Sequence, residues 1–345
     1  MNIVLVTTGE FQEYIIDNIK QLLILKNKNI YVITNQIYFE KFNENDIYKK
    51  IKLINADILN DKFEYSKYNN LSNYINHKKP VFWFQTSNRF FVIYSFMVKY
   101  NIENVIHFEN DVLSYYNCDI LMNSLDKSKV YIPIDCYKRN VASIVFIPNH
   151  QILETILNKY NYSLSDMENF IKIKQMTNNI IENFPISMPS ENYNYEQNFV
   201  CSNFENFNMI FDAASIGQYL GGVDPINFLN DVIWFIDETC IIKRYHNYYQ
   251  HCKKMENGNY EPFNNFDDIS LGKFLKKNDP MNIINDTIGF VNETCVIKYN
   301  DYFFFWEKIN DEPYKPFIII NKKKIPIFNL HIHSKQLKKF IFDTI

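Results

Sequence analysis

The first 35 residues restrict the fold more than any other part of the chain. Ile3 to Thr7 is a short β-branched and apolar run ending in Thr-Thr-Gly. Tyr14, Ile15, Ile19, Leu22, Leu23 and Leu25 then recur mostly at spacings of three and four, and Ile30-Tyr-Val-Ile-Thr34 follows as a second apolar run. Strand, helix, strand at this spacing is a βαβ unit, which requires a parallel pair joined by a right-handed crossover. The alternation continues. Val81-Phe-Trp-Phe84 reads as a third strand, Arg89 to Lys99 as a helix with Phe91, Tyr94 and Val98 on one face, and Val105 to Phe108 as a buried-type strand. Val130 to Ile134 and Ser143 to Ile147 are further strands. Helices are expected around Ile152 to Leu157 and over Met167 to Ile181, and a long loop over 182–205. The predicted class is α/β, a Rossmann-type mixed sheet flanked by helices, with a second half packed against it. The division predicted is a ligand-binding α/β half over 1–160 and a second half over 161–345, within one continuous globular unit.

Composition narrows the function. A net charge of −3, with both signs interspersed, offers no basic field for a nucleic-acid backbone. The six cysteines include no CxxC pair, and reduced thiols in a cytoplasmic compartment are expected. The opening residues lack the basic leader of a signal peptide, and no run is apolar enough for a membrane span. Tyr, Phe, Ile, Asn and Lys are abundant throughout, so clusters of scarcer types carry more information than single residues of these. Gly and His number 7 each among the 345 residues.

Three segments hold chemistry. The first is Glu109-Asn110-Asp111, two carboxylates delivered at the end of the Val105–Phe108 run. In open α/β sheets ligands sit beyond the carboxyl ends of the strands, and carboxylate oxygens there suit a hard divalent cation. The second is Phe211 to Pro225, which holds three of the glycines. Asp212, Gln218 and Asp224 offer hydrogen-bonding groups, and Gly221-Gly222 permits a tight turn and close backbone approach, as a polyhydroxylated ligand needs. The same stretch also reads as a helix from Ala213 to Leu220, capped by Asp212 and stopped by the glycine pair. The third is Asn329-Leu-His-Ile-His-Ser-Lys335, in which His331 and His333 would share one face of a strand and Lys335 follows as a point cation. Separately, Phe235 to Lys243 echoes Phe290 to Lys298, and the alternation predicts two analogous strands in one sheet. There is no Gly-X-Ser-X-Gly, Walker loop or Gly-X-Gly-X-X-Gly.

In this order the three segments resemble those of the GT-A glycosyltransferases, which use nucleotide-sugar donors. The resemblance implies that Asp111, with His331 or His333 and Glu109, would hold Mn²⁺ or Mg²⁺ against the donor diphosphate, a UDP-sugar being favoured. It implies that Glu109 and Asn110 would contact the donor and that Lys335 would neutralise the diphosphate. Thr7 and Thr8 would border the base, and Arg89 would reach the diphosphate or the donor sugar. Gln218, Gly221 and Gly222 would line the sugar pocket, and Asp212 or Asp224 would serve as base for a hydroxyl on a glycan or glycoprotein acceptor. The first acid is Glu where the family motif has Asp. The Pro-Trp that follows the lysine in some retaining relatives is absent, which leaves the stereochemistry open. Two alternatives stand beside this reading: a metal-dependent hydrolase, and a non-catalytic sugar- or nucleotide-binding module.

Overall fold

The structure is a computed structural model. It describes residues 1–43, 47–64, 80–136, 139–177, 180–189, 198–214, 216–217, 232–236, 239–245, 248–254, 260–266, 290–291, 294–299, 302–307, 315–320 and 323–341. The chain divides into two compact units, Met1–Ala214 with Ile325–His331, and Ser215–Lys324 with Ile332–Ile345.

In the first unit, β1 (Asn2–Thr7), α1 (Ile15–Ile24) and β2 (Asn29–Thr34) form the expected βαβ unit, with β1 and β2 parallel. A short helix α2 (Phe39–Asn43) leads to β3 (Lys52–Asn55), which pairs parallel to β2. After the long helix α3 (Pro80–Tyr100), β4 (Val105–Phe108) returns to the other side of β1. The remaining elements are β5 (Val112–Ser114), β6 (Val130–Tyr131), β7 (Ile134–Cys136), β8 (Arg139–Asn140), β9 (Ile144–Ile147), α4 (His150–Leu157), α5 (Asp166–Met176) and β10 (Ile181–Glu182). The sheet order is β10-β6-β9-β4-β1-β2-β3, with β9 antiparallel to both neighbours. The predicted mixed α/β sheet is therefore present. The strand order reverses between β1 and β4, which pair in parallel, and in open α/β sheets ligands bind beyond the carboxyl ends of the strands at such a switch point.

Side-chain alternation explains the layers. On β1, Val4 and Val6 face α3, α4 and α5, while Ile3 and Leu5 face α1. A sheet covered on both faces needs strands that are apolar throughout, and β4 and β9 are buried at every position.

Several sequence expectations are corrected here. Val81 to Phe84 is not a strand but the first turn of α3. Proline suits the first helical position because its missing N–H has no partner there anyway. The buried positions Phe84, Phe90, Phe91, Ile93, Tyr94 and Met97 follow helical spacing, and Val98 is exposed rather than on the packed face. The helix expected to reach Ile181 ends at Met176, because Ile181 is needed as a sheet edge paired with Val130. It starts at a capping box between Ser165 and Glu168. Ala213 and Ala214 lie in a bend and not in a helix.

The second unit contains a four-stranded antiparallel sheet, β11 (Val232–Ile236), β12 (Thr239–Tyr245), β13 (Tyr248–Lys254) and β14 (Tyr260–Phe266). A second sheet holds β15 (Phe290–Val291), β16 (Thr294–Tyr299), β17 (Tyr302–Glu307), β18 (Lys315–Ile320) and β19 (Lys323–Pro326). The echoed segments are thus two hairpins in two different sheets, not two strands of one, because each nine-residue stretch spans a turn: Ile236 pairs with Thr239 and Val291 with Thr294. The last strand, β20 (Asn329–His331), belongs to the first unit and pairs antiparallel with β5. Among the described residues no helix is long and apolar enough to cross a membrane.

Candidate metal centre at the carboxyl end of the fourth strand

β4 stops after Phe108, and Glu109 to Asp111 form the turn into β5, closed by the Val112 N–H donating to Glu109 O. Asn18, fully buried on α1, donates to the carbonyls of Glu109, Asn110 and Val112 at 3.3, 3.2 and 2.8 Å. A turn whose carbonyls point inward needs such a donor, because each unpaired buried carbonyl costs about 1–3 kcal/mol. Asn110, expected at the donor, instead donates to Val6 O at 2.9 Å and to Gln12, tying the turn to the end of β1.

Pairing of β20 with β5 sets His331 opposite Val112, one residue from Asp111. Its Nε2 lies 3.2 Å from Glu109 Oε2 and 3.4 Å from Asp111 Oδ2. Glu109, Asp111 and His331 form a cluster whose ligand atoms all lie within 4.8 Å of one another. His331 Nδ1 is 2.6 Å from Ala213 O, and a carbonyl can only accept, so Nδ1 carries the proton. In the neutral ring this leaves the Nε2 lone pair directed at the carboxylates, the tautomer a metal-ligating histidine requires. Asp212 is fully buried and its Oδ2 accepts the His331 backbone N–H at 2.9 Å. Its carbonyl accepts from Ser143 Oγ and Asn329 Nδ2 at 3.0 and 2.9 Å. The carboxylate expected to act as a base is therefore engaged in holding His331.

Arg89, projecting from α3, is buried and pairs with Glu109 through Nη1 and with Asp166 Oδ2 through Nη2 at 2.8 Å. The guanidinium expected to meet the donor is committed to two protein carboxylates. Burial would push the Glu109 carboxyl up, but Arg89, and His331 when its ring is protonated, hold it below the usual range. Asp166 goes the other way: burial outweighs its Arg89 partner and raises it. His107, two residues before Glu109 and on the same face of β4, is buried with Nδ1 2.9 Å from Val4 O. Burial and the nearby Arg89 lower it to about 3. The unfolded chain therefore binds a proton below pH about 6.5 that the native chain refuses. Native stability is expected to fall by about 1.4 kcal/mol per pH unit from there towards pH 3 because of this group. Urea midpoints between pH 7 and 4 check this, and a His107→Leu variant with an unchanged slope would exclude His107 as the cause.

The ends of β1, β2 and β3 carry a polar array, of which the sequence marks only Thr7 and Thr8 at the end of β1. Gly9, at φ +84, donates its N–H to Asn35 Oδ1 at 2.9 Å and accepts from the Tyr38 hydroxyl. A Cβ there would lie 2.7 Å from Gln85 Nε2. Asn35 Nδ2 donates to Asp57 Oδ1 at 2.6 Å, and Asp57 Oδ2 accepts from Gln36 N at 2.9 Å. Thr8 bonds Gln85 at 3.2 Å, and Thr7 is buried. For Gly9, Asn35, Gln36 and Asp57 the common signal is position, the few residues after each parallel strand, while Gln85 comes from α3.

Gln218, Gly221, Gly222 and Asp224 lie outside the described residues. His333 lies in a turn, and Lys335 adopts a left-handed backbone at φ 62. Both belong to the second unit, and the cluster among the described residues is formed without them.

No protein-family model matches the chain, and no curated protein does. Similar solved structures include a cytidylyltransferase from Leptospira borgpetersenii serovar Hardjo-bovis, 10% identical, covering 53% of this chain and 75% of that one, TM-score 0.33. The apo-form glycosyltransferase GlyE of Streptococcus pneumoniae TIGR4 is 14% identical, with 52% of this chain covered and TM-score 0.33; this chain spans 44% of its length. A glycosyltransferase involved in glycosylation of the major capsid of PBCV-1 is 11% identical, covering 53% and 84%, TM-score 0.29. Similarity this low leaves the activity to be argued from the site itself.

Proposed function

We propose that the chain is a metal-dependent glycosyltransferase, moving a sugar from a nucleoside-diphosphate donor, UDP-sugars favoured, to a hydroxyl on a glycan or glycoprotein. One observation carries the reading: Glu109, Asp111 and His331 converge at the carboxyl end of β4, where the strand order reverses between β1 and β4. Two carboxylates and an imidazole whose Nδ1 is already engaged suit Mn²⁺ or Mg²⁺ better than a soft ion. Such a cation, when bound, offsets the charge developing on a departing nucleoside diphosphate.

The chain's own residues supply the rest. The polar array of Thr8, Asn35, Asp57 and Gln85 presents donors and acceptors where a base and ribose would lie. Arg89, itself held by Asp166, keeps Glu109 ionised and oriented, and Asp212 with Ala213 orients His331. In this reading residues 1–160 carry the donor. Residues 161–345 would supply the acceptor side: Gln218, Gly221 and Gly222 at the sugar, Asp224 as base for the acceptor hydroxyl, and Lys335 at the diphosphate.

A thermal-shift screen of UDP-, GDP-, CMP- and dTDP-sugars with and without Mn²⁺ tests the reading, since a ligand that binds only the native state raises its apparent stability. A shift of several degrees that needs both Mn²⁺ and one donor class is expected. No shift with any donor would count against it. Donor hydrolysis unchanged by every acceptor offered would point to a hydrolase instead.

A further inference from the structure

The nine-residue echo is part of a much longer repeat. From Phe211 to Lys243 the sequence reads Phe-Asp-Ala-Ala-Ser-Ile-Gly-Gln-Tyr-Leu-Gly-Gly-Val-Asp-Pro and onward to Phe-Ile-Asp-Glu-Thr-Cys-Ile-Ile-Lys. From Phe266 to Lys298 it returns without a gap as Phe-Asp-Asp-Ile-Ser-Leu-Gly-Lys-Phe-Leu-Lys-Lys-Asn-Asp-Pro and onward to Phe-Val-Asn-Glu-Thr-Cys-Val-Ile-Lys, with just over half the positions identical. Beyond one extra residue, Arg244, the match resumes. Tyr245-His-Asn-Tyr248 answers Tyr299-Asn-Asp-Tyr302, and Tyr260-Glu-Pro-Phe263 answers Tyr314-Lys-Pro-Phe317.

A composition bias can repeat letters but not backbone pairings, and the pairings repeat too. Phe235↔Cys240 matches Phe290↔Cys295, Tyr245↔Tyr248 matches Tyr299↔Tyr302, and Cys252↔Pro262 matches Trp306↔Pro316. Arg244 falls where the β12–β13 ladder shifts register, between Lys243 and Tyr245, as one inserted residue should. Lys253↔Glu261 in the first copy becomes Glu307↔Lys315 in the second, so opposite charges are kept across the ladder although both residues have changed.

We propose that residues 212–266 and 267–320 are tandem copies of one module. The first alone completes the metal cluster, and the second is a diverged duplicate the site does not require. Resting on the metal reading above, the argument is one of contacts. Asp212 and Ala213 meet His331 through a carboxylate and a carbonyl, and Ala213 is fully buried. The second copy keeps the aspartate as Asp267 but places Asp268 and Ile269 where the first has Ala213 and Ala214. Substituting Asp for the fully buried Ala213 would bury a further carboxylate beside Glu109, Asp111 and Asp212 with no partner provided, which is strongly unfavourable. The copies have also parted at Gln218, Gly221 and Gly222, which become Lys273, Lys276 and Lys277. Because β14 and β18 end their copies at matching registers, removing 267–320 leaves Tyr260–Phe266 leading into the chain before β19.

The test compares the intact chain with chains lacking either 267–320 or 212–266, read by cooperative unfolding and by Mn²⁺ titration followed calorimetrically. The chain lacking 267–320 is expected to unfold cooperatively and to bind Mn²⁺ within a few-fold of the intact chain, and the chain lacking 212–266 to lose binding. The reverse pattern overturns the proposal. Should a deletion prevent folding, point variants of the intact chain decide: Asp212→Ala is expected to weaken Mn²⁺ at least tenfold, and Asp267→Ala to leave it unchanged. Equal weakening by both would show that both copies serve the site. An intact chain indifferent to Mn²⁺ would sink the functional reading separately. The division of labour would then be read from melting temperature, lowered by Asp212→Ala and not by Asp267→Ala.

Discussion

Asp111→Ala is expected to abolish Mn²⁺- or Mg²⁺-dependent sugar transfer while leaving the fold intact. Asp111 is one of the three residues proposed to hold the metal, buried and 3.4 Å from His331 Nε2. Even residues that only orient a ligand cost roughly 10–100-fold in metal affinity when removed, so losing a carboxylate ligand should cost at least about 100-fold. Without metal the sign for stability reverses. Asp111 is a like charge that raises the neighbouring Glu109 carboxyl, so its removal relieves repulsion in a buried site. Activity should vanish in a protein that melts no lower than the parent. Mn²⁺ titration calorimetry beside a donor-consumption assay checks this; unchanged metal affinity with a normal melt would rule out the cluster as the metal site.

Arg89→Met carries the largest expected stability effect. It leaves the buried Asp166 and the half-buried Glu109 without the cation between them. Removing one partner of a buried ion pair costs about 3–5 kcal/mol because the remaining charge has lost both water and counterion. Here two carboxylates are abandoned, one already raised by burial. Part of the loss should return in Arg89→Met/Asp166→Asn, which neutralises the carboxylate lying outside the cluster. Urea unfolding at pH 7 measures both, and a single-variant loss below about 1 kcal/mol would mean that the pairs are solvated in solution.

Much of the first unit was legible in the sequence because its signals are local. Period-two and period-3.6 apolar runs identified β1, α1, β2, β4 and β9. The abrupt change from Phe108 to Glu109 marked the end of a buried strand at a polar edge. Val81–Phe84 was misread because four apolar residues have no period of their own. Pro80 and the helical spacing of Phe84, Phe90, Phe91 and Tyr94 decide the matter, and that needs a longer window. The partners of Arg89 were not legible because a guanidinium in sequence has no partner. Asp166 reaches it only because the capping box starts α5 on the same face of the sheet as α3.

The sequence by itself determined an α/β layer of alternating elements and named three segments, around Glu109, Asp212 and His331, as sources of polar chemistry. Only the tertiary structure shows His331 within 3.4 Å of both carboxylates. Alternation assigns His331 and His333 to one face of a strand, but β20 ends at His331, and its register with β5 sets that residue alone opposite Val112. Only the tertiary structure showed Asp212 holding that histidine, across more than a hundred residues of chain. Strand and helix patterns are encoded by neighbours in sequence. A metal cluster is set by the register of strands distant in sequence, which no local period specifies.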